Sequence, residues 1–352
     1  MSLQRVQKFL KEKGIEALLV KHIPSKLFIN SRSGSGIYVL VMPQKAVQFY
    51  DGRYRCEVAE LTRGFENIEV NGRHYIESII EFVKKEQINT LYVEPKGLSL
   101  GEFQALSKEV NTILAKDWIA TIRSVKTNEQ IEYVKDVCRM TDNVFHNVLT
   151  KIKLGMSEKE LSGWINYYAM AEGAEKMSFE TIVCSGKRTS LPHGRPTDKV
   201  LNYGDTLIMD FGLVHNFYQS DMTRTVFLGE VSAKMRHIYE TVHMAQVSAI
   251  KAIKVGKKGK EIDAVARQII SDAGYGTYFS HGLGHGIGLG SDLPMLAPDS
   301  EMILENGMIM SCEPGIYIPD LGGVRIEDDV LLADDHGQPL NKTAKDLVVL
   351  EV

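Results

Sequence analysis

The chain has 352 residues, 44% of them hydrophobic and 24% charged, with a formal net charge of −4. That length fits two domains with sizeable cores better than one, and the charge balance offers nucleic acid or an anionic membrane surface no global attraction. No apolar run approaches the ~20 residues a membrane span needs, and the charged opening MSLQRVQKFLKEKG lacks a secretory hydrophobic region.

In chain order, LQRVQKFLKEKG has apolar residues at helical spacing with a glycine stop, and the apolar run IEALLV follows. IYVLVM and AVQFYD read as strands, RYRCEVAELTRG as a helix, and TLYVEP as a strand after a helical YIESIIEFVKKE. Together they predict a compact α/β domain over residues 1–124. DGRY (51–54) reads as a polar turn with a structural role. Thr127 carries a capping signal for a long amphipathic helix in SVKTNEQIEYVKDVCRMTDNVFHNVLTKI, and a second domain is expected over 125–352. Its helical stretches alternate with strand-rich ones in two helix-then-strand halves, 128–230 and 231–352, which hints at internal duplication. Cys56, Cys138, Cys184 and Cys312 are widely spaced with no CxxC pair. They indicate neither a disulfide framework nor a cysteine zinc site, and they fit a reduced, cytoplasmic protein.

The chemistry is concentrated in three stretches. TLIMDFGLVHNFYQSDMTRTVF reads as a hairpin turning at His215-Asn216, which sets Asp210 opposite Asp221 with β-carbons about 4.5–5.5 Å apart. SCEPGIYIPDLGGVRIEDD reverses direction around Asp320, about which Glu313 and Glu327 are symmetric, with Arg325 on the face of Glu327. Two like-charge pairs among apolar neighbours are destabilising unless they protonate or find a cation. Four converging carboxylates would be balanced by two divalent ions, with a neutral imidazole completing the ligand set. HGLGHGIGLG (281–290) fails the dinucleotide-loop template by glycine position and carries too much glycine for a helix. It reads as extended backbone with His281 and His285 on one face, its alternating glycines leaving room for a bulky group. His285 is then the nitrogen ligand. Oxygen-rich ligation with one imidazole suits manganese or cobalt, with iron or zinc as alternatives.

The ordered set Asp210, Asp221, His285, Glu313 and Glu327 resembles the metal ligands of the pita-bread metallopeptidases. The strings SFETIVCSG, LPHG, IMDFG, SDMTRT, HGLGHGIGL, EPGIYIP and GGVRIEDD are similar to the aminopeptidase P and Xaa-Pro dipeptidase (prolidase) branch. The resemblance covers nearly the whole chain. It implies a small α/β N-terminal domain of creatinase type before a catalytic pita-bread domain, so an α/β (α+β) chain overall. The implied activity is hydrolysis of the bond between an N-terminal residue and proline by a hydroxide bridging two divalent ions. Glu313 is implied as ligand and proton shuttle, His193 and His281 as groups near the substrate and the leaving proline, and Arg325 as a support beside Glu327. The partners implied are short peptides with proline second, in a homodimer, with no nucleic acid or membrane. His215, His237 and His243 are expected to make ordinary polar contacts.

One departure stands out. Where the family commonly places a further histidine after the glycine run, this chain has Asp292, a carboxylate in place of a donor. The competing readings are an aminopeptidase without proline preference, similar to methionine aminopeptidases, and a pita-bread module that binds without catalysis.

Overall fold

The computed structural model describes residues 2–61, 64–290 and 292–352, apart from the side chains of Leu61 and Asp292. It divides into two compact units, Met1–Arg123 and Ser124–Val352.

The first unit runs α1 (Ser2–Lys13), β1 (Ala17–Val20), α2 (Ile23–Phe28), β2 (Ile37–Val41), β3 (Ala46–Tyr50), α3 (Arg55–Leu61), β4 (Glu66–Glu69), α4 (Tyr75–Lys85), β5 (Leu91–Val93), α5 (Leu100–Glu109), β6 (Thr112–Leu114) and α6 (Trp118–Ser124). Its strands form one mixed sheet in the order β4-β3-β2-β1-β5-β6. Strands β1, β2 and β3 are buried throughout, which is why they read as continuous apolar runs rather than alternating ones. Helix α5, which the pattern reading passed over, starts with a capping box between Ser99 and Glu102. Asp51 of DGRY caps the turn that follows it and accepts hydrogen bonds from Arg53 and Tyr75, so the motif is structural.

The second unit continues α7 (Asn128–Leu149), α8 (Glu158–Ala171), β7 (Lys176–Met177), β8 (Ile182–Ser185), β9 (Thr206–Phe211), β10 (Leu213–His215), β11 (Tyr218–Gln219), β12 (Met222–Leu228), α9 (Ala233–Ala252) and α10 (Gly259–Asp272). Then come β13 (Gly284–Gly286), β14 (Asp292–Leu296), β15 (Ile309–Cys312), β16 (Gly315–Ile318), β17 (Gly322–Arg325), β18 (Asp328–Ala333), β19 (His336–Pro339) and β20 (Val348–Leu350). Thr127 does cap α7: its hydroxyl accepts from the Gln130 amide at 3.3 Å, and the Gln130 side chain returns a bond to the Thr127 amide at 3.0 Å. A sheet ordered β20-β12-β9-β8 packs its apolar side on α7 and α8, and one ordered β14-β13-β15-β18-β19 packs on α9 and α10.

Each half contributes a long hairpin whose ladder is interrupted. The β9–β12 ladder ends at Phe211 opposite Met222, and β10–β11 resumes at Val214 opposite Gln219. The β15–β18 ladder ends at Cys312 opposite Asp328, and β16–β17 resumes at Gly315 opposite Arg325. Asp221, Glu313 and Glu327 sit in these interruptions, where backbone and side chains are released from the ladder pattern. At the first, Gly212 is required by close approach: a β-carbon there would lie 1.9 Å from the Ser220 carbonyl oxygen.

The second hairpin keeps the expected symmetry about Asp320. The first corrects the sequence reading. Its turn is Asn216-Phe217, both with left-handed φ (49° and 66°), and Asp210 lies opposite Thr223 instead of Asp221. A primed two-residue turn twists with the strands, so it wins over the His215-Asn216 alternative. The pairing moves by two residues, so Asp221 stays on the face of Asp210 as a diagonal neighbour.

Candidate active site

Asp210 is carried by central strand β9 and Asp221 by the short connection into β12, both nearly fully buried. Glu327 enters from the far hairpin, where its amide donates to the Thr223 carbonyl at 3.1 Å and so ties the two hairpins together. Ligand-capable oxygens of Asp210, Asp221 and Glu327 lie within 4.8 Å of one another. His285 Nε2 is 3.6 Å from Asp221 Oδ2 and 3.6 Å from Glu313 Oε1, which brings the remaining two residues of the expected set to the same place.

Burial and the neighbouring carboxylates push the Asp221 acid well above its usual range, and burial with Glu313 and Asp210 does the same to Glu327. Burial raises Asp210 too, against the pull of Arg325. Among the described residues, buried Asp210 Oδ1 and Glu327 Oε1 find no hydrogen-bond donor, although buried acceptors are normally satisfied. Orphaned acceptors converging among repelling carboxylates, with an imidazole alongside, fit a divalent-ion site. Asp210, Asp221, His285, Glu313 and Glu327 are the residues that would hold it.

Several groups fix these side chains. The Arg325 guanidinium contacts Asp210 and donates to Thr223 Oγ1 at 2.9 Å, to Tyr317 Oη at 2.8 Å and to the Pro192 carbonyl at 3.1 Å. Burial opposes its charge, but Tyr317, Asp210 and the glutamates more than offset this and raise its pKa. Thr223 in turn donates to Glu327 Oε2 at 2.6 Å, and Ser311 donates to Glu313 Oε1 at 3.1 Å. His281 Nε2 lies 2.9 Å from Tyr317 Oη, with burial lowering its pKa. His193 stands exposed on a turn whose Pro192 carbonyl is held by Arg325. The loop bearing it is anchored by Glu158, fully buried, which accepts from the amides of Ser185 and Thr197 at 2.8 and 3.0 Å.

All these functional candidates except Thr223, Tyr317, Ser311 and Glu158 line one cavity of about 600 Å³, a size that suits a small peptide. Phe179, Ile182 and Met295 supply apolar wall. Sequence reading missed Thr223, Tyr317, Ser311 and Glu158. A neutral side chain carries no charge anomaly to flag it, although Thr223 falls on the Asp210 face once the hairpin register is known. The glycine run differs in detail from expectation: only Gly284–Gly286 is strand. A β-carbon on Gly284 would meet the Ser311 carbonyl oxygen at 2.0 Å, and one on Gly286 the Leu293 carbonyl oxygen at 1.8 Å. Those glycines admit neighbouring backbone, not a bound ligand. The backbone of Asp292 pairs with Gly286, while the Asp292 side chain, at the departure noted above, lies outside the described residues. His215 Nδ1 lies 3.3 Å from the Gly173 carbonyl, and His237 packs on Tyr275.

Comparison with known proteins now bears on the site. The model of metallopeptidase family M24 matches residues 132–334, and that of the creatinase/prolidase N-terminal domain matches residues 3–125. A Xaa-Pro dipeptidase of Pyrococcus horikoshii is 35% identical over 351 residues, spanning 98% of both chains. The solved structure of a Xaa-Pro dipeptidase from Bacillus anthracis is similar with a TM-score of 0.95 at 35% identity over 99% of both chains. That of an X-Pro aminopeptidase from Thermotoga maritima has a TM-score of 0.87 at 34% identity, covering 96% of this chain and 98% of the other. With an M24 match over more than half its length and such relatives over nearly all of it, this chain belongs to metallopeptidase family M24, a pita-bread fold preceded by a creatinase/prolidase N-terminal domain.

Proposed function

We propose that the protein is a dinuclear-metal exopeptidase that cleaves between an N-terminal residue and proline, with Xaa-Pro dipeptides as its first substrates. The observation that carries this is the buried convergence of Asp210, Asp221 and Glu327, with His285 and Glu313 beside them, on the wall of a peptide-sized cavity. Support for proline specificity comes from full-length relatives that are named Xaa-Pro dipeptidases. Manganese or cobalt best suits four carboxylates and one imidazole. The setting we propose is cytoplasmic, and the assembly a homodimer.

Two bound divalent ions would supply Lewis acidity toward the scissile carbonyl and an acidified water at neutral pH. The chain's own residues do the rest. Glu313, held by Ser311 at 3.1 Å, takes the proton from the attacking water and delivers it to the proline nitrogen as the C–N bond breaks. That nitrogen is tertiary and offers no N–H, so recognition of the leaving side falls to shape and to His281 and His193. Arg325 favours the charged form of Asp210 against burial and orients it, and through Tyr317 it fixes His281. Burial lowers the His281 pKa and so favours the neutral ring, which accepts or donates as its tautomer dictates.

The test compares metal-reconstituted enzyme on Ala-Pro, Ala-Ala, Met-Ala and Ala-Pro-Ala. Preference for Ala-Pro is expected, with Asp221→Ala and Glu313→Ala inactive yet folded. Equal rates on Ala-Ala would reject proline specificity, and wild-type turnover by either variant would reject the site.

A further inference from the structure

Helix α7 is a core helix whose buried positions are mostly apolar: Val134, Val137, Val144, Phe145 and Val148. Cys138, Thr141 and Asp142, at helical spacing on the same side, are also buried. Apolar residues would fill this face without polar groups needing partners. Each polar group instead reaches main chain, Asp142 directly and Cys138 and Thr141 through one intervening side chain. Thr141 Oγ1 lies 2.6 Å from Ser220 Oγ, which itself accepts the Leu213 amide at 3.0 Å. The Cys138 thiol donates at 3.2 Å to Asp329 Oδ2, and that same oxygen accepts the Asp221 amide at 2.9 Å. Asp142 accepts from the Thr343 amide and hydroxyl at 3.1 and 2.7 Å. The Thr343 carbonyl then receives Arg224, which also donates to the Glu327 carbonyl.

We infer that this polar stripe of α7 positions the ligand carboxylates, with Cys138 and Thr141 fixing the backbone of Asp221 through Asp329 and Ser220. The residues on either side of the Asp221 peptide are thereby tied to one rigid helix: Ser220 by its hydroxyl, Asp221 by its amide. The Ser220 amide still donates to the Leu213 carbonyl at 3.0 Å, but the Asp221 amide is held by the Asp329 carboxylate in place of a ladder partner. Cys138 and Thr141 are positioning residues, since neither lines the cavity. Groups that orient a ligand in this way commonly hold 10–100-fold in metal affinity.

This inference rests on the proposed metal site, and its test separates the two. Cobalt binding is measured on metal-stripped full-length protein by equilibrium dialysis and by the visible absorption of the bound ion. Wild type, D221A, C138A, T141V, C138S and T141S are compared, and the Tm of each metal-free protein is recorded. Expected are affinity losses of about tenfold or more and an altered cobalt spectrum in T141V and C138A, with recovery in T141S, which keeps the hydroxyl, and in C138S, which keeps a donor. Should T141V fail to fold, C138A, which only shortens a side chain, carries the test. Wild-type affinity and spectrum in C138A and T141V, even with a lowered Tm, would overturn the inference while leaving the metal site standing. A wild type that binds no cobalt, or a D221A that binds as wild type does, would overturn the metal site and this inference with it.

Discussion

Replacing Arg325 by methionine should destabilise the metal-free protein more than the metal-loaded one. The guanidinium is 2% exposed and makes four polar contacts, to Asp210, Thr223, Tyr317 and the Pro192 carbonyl. It is a buried cation in direct contact with Asp210, one of the four clustered carboxylates Asp210, Asp221, Glu313 and Glu327. Removing one partner of a buried pair leaves the other uncompensated and costs about 3–5 kcal/mol. Methionine fills much of the volume, so little of that loss comes from a cavity. At ~2–4 °C per kcal/mol for a unit of this size, the metal-free Tm should fall by roughly 6–20 °C. Two divalent ions would neutralise the carboxylates themselves, leaving mainly the lost hydrogen bonds at about 1 kcal/mol each. The loss should then be smaller than in the metal-free protein, because its electrostatic part is removed. Thermal unfolding of both proteins, with chelator and with saturating manganese, reads this directly. Equal destabilisation in the two conditions, or a metal-free Tm within about 2 °C of wild type, would refute the assignment of Arg325 as counter-ion to a metal cluster.

Further outcomes follow from other parts of the molecule. Burial raises the Glu94 acid from 4.5 to about 7, so between those values the folded chain holds a proton that the unfolded chain releases. Stability of the first unit should therefore decline as pH rises from about 4.5 to about 7 and level off above, by at most ~3 kcal/mol; urea midpoints of E94Q should lose that slope, and an unchanged slope would contradict the reading. Gly286→Ala puts a β-carbon 1.8 Å from a neighbouring carbonyl oxygen and should cost about 1–3 kcal/mol or more, measured by urea unfolding, while neutrality would mean the strands part easily. Tyr317→Phe removes the link between Arg325 and His281; KM for Ala-Pro should rise several-fold with kcat less affected, and an unchanged KM would free His281 from that dependence.

Much of this architecture could be read from residue pattern, and the limits have physical causes. Continuous apolar runs and the Thr127 capping signal marked strands and α7 because local spacing determines them. The convergence of the carboxylates was legible because like charges set among apolar residues need an explanation from elsewhere. The placement of Asp221 survived an error in the hairpin turn because side chains repeat every second residue, so a two-residue shift preserves the face. Neutral supports were not legible in the same way. Thr223, Tyr317 and Ser311 depend on contacts between elements far apart in sequence, and no local pattern distinguishes a buried hydroxyl that bridges ligands from one that caps a turn. The glycine run shows a related limit: its composition signals close approach, yet only the packed sheets reveal that the approaching groups are the Ser311 and Leu293 backbones.

The central claim is that Asp210, Asp221, His285, Glu313 and Glu327 hold two divalent ions that cleave Xaa-Pro bonds. Its most direct test is to titrate metal-stripped protein with manganese or cobalt while following Ala-Pro hydrolysis and the ions bound per chain. Activity that is absent without metal, and that rises to a plateau as two ions bind, is the predicted result. Hydrolysis of Ala-Pro by fully stripped protein, or none with the metal sites filled, would contradict it.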